Sequence, residues 1–311
     1  MKRLAAGLAV AALATAAFFN VFGGQANAAA PATAAAAAPV AGPWSGRISV
    51  VVVGNPQGPD IVLIPGLTSS RAVWDATVAQ LKGRYRLHLV QINGFAGSPA
   101  GDNASGPVLQ PVVDAIDLYT RTNHLKAPAV IGHSLGGLAG LMLARQHPQD
   151  VSRLMVVDSL PFFGMLYGPT ATVAMVEPQA ARMRDGMAAG TDEAYAAMET
   201  AALKNLVKDP EGVKVATQWA LDSDKVVVAR AFYDDFTTDL RGELPNIHTP
   251  VTMLYPWDAE TGRPVEAFDA LYTGAYASLP GAKVKRIDAS FHFIMLDQPA
   301  AFAAEVETFL K

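Results

Sequence analysis

The chain has 311 residues, 51% of them hydrophobic, which is enough for one large domain with an insertion and makes disorder the wrong starting point. Its net charge of −4, more negative still once Lys2 and Arg3 are removed with a leader, argues against nucleic acid as a partner. It contains no cysteine, so it has neither disulfides nor a thiol for lipid attachment, and its stability must come from packing.

Met1, Lys2 and Arg3 precede an apolar stretch from Leu4 to Phe19, and Ala26-Asn27-Ala28 ends a run of small residues. This is the order of a secretory signal, so residues 1–28 are expected to be removed after Ala28 and the protein exported, periplasmic or secreted. The alternative is an uncleaved anchor, since Leu4 to Phe22 could just reach across the roughly 30 Å hydrocarbon core; the Ala-rich composition favours cleavage. Residues 29–43 are almost only Ala and Pro and read as a flexible leader.

From Trp44 onward, short apolar runs alternate with helix-length segments. Arg47 to Val53, Asp60 to Ile64, Tyr85 to Gln91, Ala127 to Ile131, Arg153 to Val157, Pro250 to Tyr255 and Lys283 to Asp288 read as strands bounded by Gly, Pro or Asp. Ser70 to Lys82, Ser134 to Gln146 and Gln298 to Leu310 read as helices. Continuous apolar strands alternating with helices imply an α/β fold with a mostly parallel central sheet. No strand pattern occurs from 161 to 243, where Asp192 to Lys208 and Asp224 to Leu240 have helical spacing. That segment is expected to be a helical cap, with 44–160 and 244–311 forming the core.

Ala127 to Ile131 runs into Gly132-His133-Ser134-Leu135-Gly136-Gly137 and then into a helical stretch. Gly-x-Ser-x-Gly alone would recur by chance roughly once in ten chains of this composition. Between a strand and a helix it is a nucleophile elbow, a turn that lifts the Ser134 hydroxyl above the sheet and needs bare flanks such as Gly132 and Gly136. A serine hydroxyl needs a base, and the base needs an acid to fix its tautomer. After such an elbow these follow in the order acid, then histidine. Only His292 lies far downstream and directly after a terminal strand, which makes it the candidate base. His88, His124, His133, His147 and His248 have structural readings, show no metal-ligand spacing, and give no reason to expect a metal or cofactor. Asp258, at the end of the strand before it, is the first choice of acid, with Asp158 and Glu260 as alternatives. The oxyanion donors are expected to be the backbone N–H groups of Leu135 and of Leu67, in the loop Pro65 to Ser70.

Together, Leu63 to Leu67, Gln91 to Ser98, Gly132 to Gly137, Leu254 to Asp258 and His292 to Pro299 resemble the α/β-hydrolase superfamily, in particular its capped lipase, esterase and carbon-carbon hydrolase members. The resemblance spans Arg47 to Leu310. Two features depart from it: Pro65-Gly66 stands where many relatives have His-Gly, and Pro256-Trp257-Asp258 where many have Gly-x-x-Asp. The resemblance implies acyl transfer from a small-molecule substrate. Met165, Met175, Met183, Met187 and Met198, with Phe162, Phe163, Tyr167, Trp219, Phe232, Tyr233 and Phe236, suit either an apolar pocket or the cap's own core. An apolar carboxylic ester is the expected substrate; a carbon-carbon bond, lactone or thioester would use the same triad. A non-enzymatic ligand-binding protein on the same fold is the rival from another class.

Overall fold

A computed structural model describes residues 38–311. The export pattern and leader residues 29–37 lie outside the described residues. Val40, within the expected leader, bridges to Val50, so this part of the leader pairs with the sheet.

Seven strands form one sheet: β1 (Ile48–Gly54), β2 (Asp60–Ile64), β3 (Arg86–Ile92), β4 (Ala129–His133), β5 (Arg153–Val157), β6 (Val251–Trp257) and β7 (Lys283–Asp288). Their spatial order is β1-β3-β2-β4-β5-β6-β7; β1 runs antiparallel to β3 and every other pair is parallel. The central strands are apolar on both faces because both faces are covered. In β2, Val62 and Ile64 enter one buried cluster, while Ile61 and Leu63 enter the other. In β4 the same division separates Val130 from Ile131. Helices α2 (Leu109–Thr122), α3 (Leu135–Gln146) and α8 (Val265–Ala275) supply side chains to the first cluster. Helices α1 (Asp75–Leu81), α9 (Ile294–Asp297) and α10 (Pro299–Leu310) supply the second. Each fully buried Leu, Ile or Phe here contributes about 1.5–3 kcal/mol, so these two layers hold the frame rigid.

Two strand ends lie further along the chain than the apolar pattern indicates. β4 continues through Gly132 to His133, so Ser134 follows the sheet directly. β6 includes Pro256 and Trp257, which pair with Ile287 and Asp288 of β7. Both displacements matter at the site, because they fix where the residue after each strand stands.

Between β5 and β6 the described chain carries α4 (Val173–Ala189), α5 (Asp192–Leu203), α6 (Pro210–Leu221) and α7 (Lys225–Thr237), with no strand. α5, α6 and α7 are each capped at the amino end by a side chain, from Thr191, Asp209 and Asp224. α7 is tied to the core at both ends. Asp224 N donates to Gly94 O at 2.8 Å, and Leu240 N, just beyond the helix, donates to Pro161 O at 2.8 Å.

Candidate active site

Ser134 stands between β4 and α3 with φ 52° and ψ −122°, a backbone state that a residue with a side chain rarely holds. Hydrogen bonds pin it there: Ser134 N donates to Val157 O at 2.9 Å, and Ser134 O accepts from Gly137 N at 2.7 Å and Leu138 N at 3.1 Å. The glycines on either side are required by contact. A methyl group on Gly132 would lie 2.1 Å from Gly136 O, and one on Gly136 would lie 2.4 Å from Ile64 O. The turn therefore closes only with bare backbone at both positions.

His292 lies in the loop after β7 and is half-buried. Its Nδ1 sits 2.6 Å from Asp158 Oδ2. Since an ionised carboxylate can only accept, Nδ1 carries a proton, and in the neutral ring this leaves the lone pair on Nε2, the tautomer a general base needs. The other oxygen, Asp158 Oδ1, accepts from the Tyr272 hydroxyl. Burial, followed by the charge of Asp158, pushes the Tyr272 hydroxyl well above its usual titration range, so it remains a donor. Tyr276, next along the same helix face, donates to Ser159 O at 2.7 Å. Asp158 N donates to Leu254 O at 2.8 Å. The carboxylate is thus fixed from the sheet and from α8.

The acid placed beside the histidine corrects the sequence-based first choice. Asp258 does not reach His292. Its Oδ2 lies 2.6 Å from Lys208 Nζ, which is also 2.8 Å from Glu260 Oε1, and its Oδ1 accepts from Glu260 N at 2.8 Å. Burial raises the Asp258 carboxyl, but Lys208 and the Glu260 amide outweigh it and leave the carboxyl below the usual range. The reason lies in the sheet order. Asp158 ends β5, the neighbour of β4, whereas Asp258 ends β6, one strand further from Ser134. The two extra residues of β6 carry Asp258 outward to the cap, where Lys208 captures it.

Two residues given no site role in the sequence reading hold the histidine loop. His133 is fully buried, and its Nε2 lies 3.1 Å from His292 O, to which it donates. Burial and the neighbouring His292 ring hold His133 well below its usual range, so it is neutral. Asp297 Oδ2 accepts from Phe291 N at 2.8 Å, while its Oδ1 accepts from Lys208 N at 2.8 Å and Asp209 N at 3.0 Å. Asp297 therefore joins the histidine loop to the α5–α6 turn of the cap. The Gly-flanked motif and the strand pattern gave no sign of either role: the apolar run stops at Ile131, short of His133 at the end of β4, and Asp297 lies on α9, beyond the last strand.

Gly66 packs against the elbow: a methyl group there would lie 3.0 Å from Ser134 Cβ and 2.9 Å from His133 Nδ1. Among the described residues the backbone N–H groups of Leu67 and Leu135 have no hydrogen-bond partner. Two free donors flanking a serine can stabilise an oxyanion. Above them, α7 supplies Asp234, whose Oδ2 accepts from Val108 N and Leu109 N and caps α2. It also supplies Asp235, half-buried and without a hydrogen-bond partner among the described residues. Burial pushes the Asp235 carboxyl up to about 7; the His292 ring, within electrostatic reach, draws it down, and Asp234 raises it. Phe163, Phe232, Phe236 and Tyr167 form one aromatic group on the cap, whereas Phe162 is fully buried under Arg241 and Met175 is exposed.

A profile of the Alpha/beta hydrolase family matches residues 61–305. The chain belongs to this family. It is 42% identical over 118 residues to the pimeloyl-[acyl-carrier protein] methyl ester esterase of Aeromonas hydrophila, a stretch covering 37% of this chain and 44% of that protein. It is 28% identical over 276 residues to the protein of the same name from Aromatoleum aromaticum, covering 81% of this chain and 98% of that one. Among solved structures, the enol-lactonase of Burkholderia xenovorans LB400 superposes with a TM-score of 0.68 at 19% identity, covering 85% of this chain and 96% of its own. A hydrolase from Pseudomonas aeruginosa gives 0.69 at 20%, covering 85% and 94%. At these identities the structures support the fold alone.

Asp158→Asn should lower kcat/KM for ester hydrolysis by about 10⁴, because the amide would reverse the imidazole tautomer. Asp258→Asn should change it less than about tenfold, since that residue meets Lys208 and not the histidine. Steady-state kinetics on both variants separates the two acids. Asp235→Asn should raise stability by an amount that grows from pH 4 to pH 7 and then levels, measured by urea unfolding at several pH values. The sign follows from the raised carboxyl: between about pH 4 and 7 the unfolded chain releases a proton that the folded carboxyl keeps, so rising pH favours unfolding, and above about 7 both states are ionised and the difference is constant. A pH-independent difference would show that the carboxylate is solvated.

Proposed function

We propose that this protein hydrolyses a carboxylic ester of a small or medium apolar acid by acyl transfer. Ser134 attacks the carbonyl carbon, and His292 Nε2 takes the hydroxyl proton and returns it to the leaving oxygen. Asp158 holds the ring and stabilises the imidazolium that forms, and the N–H groups of Leu67 and Leu135 receive the developing oxyanion. Water, deprotonated by the same nitrogen, then releases the acid.

The observation that carries this reading is the 2.6 Å contact between His292 Nδ1 and Asp158 Oδ2 in the loops that flank the strained Ser134. The esterase names of the relatives from Aeromonas hydrophila and Aromatoleum aromaticum support an ester as the bond attacked. The aromatic group of the cap, Phe163, Phe232, Phe236 and Tyr167, supports an apolar acyl or alcohol portion. The Asp235 carboxylate argues against a negatively charged one, which it would repel above about pH 7. The positively charged amino terminus, apolar stretch and Ala26-Asn27-Ala28 support action outside the cytoplasm.

A fluorophosphonate probe should label Ser134 in the folded protein, and labelling should disappear in Ser134→Ala and in His292→Ala. Hydrolysis of a chromogenic short-chain ester should fall by about 10⁴–10⁶ in either variant. Folded wild-type protein that neither labels nor hydrolyses any ester would instead indicate a ligand-binding protein on this scaffold. Export would be tested by amino-terminal sequencing of the protein recovered outside the cytoplasm, which should begin at Ala29; an intact Met1 would refute cleavage.

A further inference from the structure

Away from Ser134, near the edge where β4 and β5 begin, three potential ligands converge. Asp117 lies in the middle of α2 and is only 4% exposed. Its Oδ2 is 2.7 Å from an Arg121 nitrogen, but its buried Oδ1 has no hydrogen-bond partner. A buried carboxylate oxygen left unpaired is expensive, which singles the position out. His147 follows the end of α3, and its Nδ1 stands 3.4 Å from that oxygen, within ion-pair range but without the geometry of a hydrogen bond. Asp150, three residues further on in a short 3-10 turn, brings a third donor. The imidazole nitrogen and one oxygen from each carboxylate lie within 4.8 Å of one another.

A cavity of about 10 Å³ is lined by these three side chains together with Thr120, Pro128 and Val151. It has room for roughly one water-sized sphere. Tetrahedral zinc with bonds of about 2.0–2.1 Å keeps its ligand atoms ~3.4 Å apart, the separation of Asp117 Oδ1 and His147 Nδ1. One imidazole with two carboxylates is a zinc-type donor set, whereas calcium and magnesium favour oxygen alone. Two carboxylates facing one guanidinium also leave a negative charge for a cation to balance. The remaining polar contact in the cluster, Gln149 Nε2 to Asp150 Oδ2 at 3.4 Å, leaves the other Asp150 oxygen free.

We propose that Asp117, His147 and Asp150 bind a divalent transition metal, with zinc the fitting ion, which ties α2 to the carboxyl end of α3. The site is structural, and it takes no part in hydrolysis because it lies at the opposite edge of the sheet from Ser134. No spacing along the chain reveals it: His147 and Asp150 are three apart, but Asp117 is thirty residues upstream on another helix.

Zinc chloride titrated into untagged, chelator-treated full-length protein should show one saturable equivalent by calorimetry and raise Tm by several degrees at saturation. Titrating His292→Ala as well removes the catalytic histidine as a competing site and should leave that equivalent in place. Asp150→Asn and His147→Gln should each weaken binding at least tenfold while ester hydrolysis stays within twofold of wild type. Both residues are only half-buried, so these variants avoid the risk of misfolding that Asp117→Asn carries. Absence of saturable zinc binding, wild-type affinity in both variants, or a preference for calcium would overturn the proposal and leave a single bridging water as the occupant.

Discussion

The structure depends on a turn that fits only without side chains beside it. At the end of β4 the chain reverses into α3 within one residue, and Ser134 takes a positive φ that costs on the order of 1–3 kcal/mol. That state persists because the surroundings over-determine it. Gly132 and Gly136 let two backbone segments touch, and Val157 O on the neighbouring strand receives the serine's N–H. Strain is not confined to the serine. Of the seven non-glycine residues with positive φ among the described residues, five (Thr68, Ala96, Ser134, Asp158 and Ala289) lie just beyond the carboxyl ends of β2, β3, β4, β5 and β7. One edge of the sheet is strained, and it is the edge that carries Ser134, Asp158 and the loop of His292.

Much of this edge can be read from residues in order along the chain. Both faces of β2 and β4 are buried, so each strand is an unbroken apolar run bounded by Gly or Pro, and that signal survives without neighbours. Ser134 is legible for the same reason: the strand, the glycines and the helix are contiguous. His292 is legible by position, as the histidine that follows the last strand. α2 is harder to read, since Gln110 and Pro111 interrupt its first turn and its apolar face shows only against Trp44 and β1.

The acid was not legible, and the reason is geometric. Asp158 and Asp258 both end apolar strands, and nothing local distinguishes them. What separates them is spatial order: β5 adjoins β4 and β6 does not. A cation from the cap also enters the choice. Lys208 pairs with both Asp258 and Glu260, which turns the loop after β6 into a mooring for the cap. A lysine fifty residues upstream cannot be paired with an aspartate by inspection of either segment.

The cap and the histidine are mechanically linked through that mooring. Asp297 accepts the amides of Lys208 and Asp209 on one oxygen and that of Phe291 on the other, and Phe293 N donates to Leu206 O at 3.2 Å. The residues on either side of His292 are therefore bonded to the turn between α5 and α6. Lys208, in the same turn, holds the loop after β6. A movement of α5 and α6 large enough to open the site would pull on both neighbours of the imidazole, while Asp158, fixed by Tyr272 and by the sheet, would stay behind. The contact at risk is His292 Nδ1 to Asp158 Oδ2, the one that sets the base's tautomer. The hydrogen bonds that run from the α5–α6 turn through Asp297 and Leu206 to the residues beside His292 thus couple the seat of that turn to the position of the imidazole.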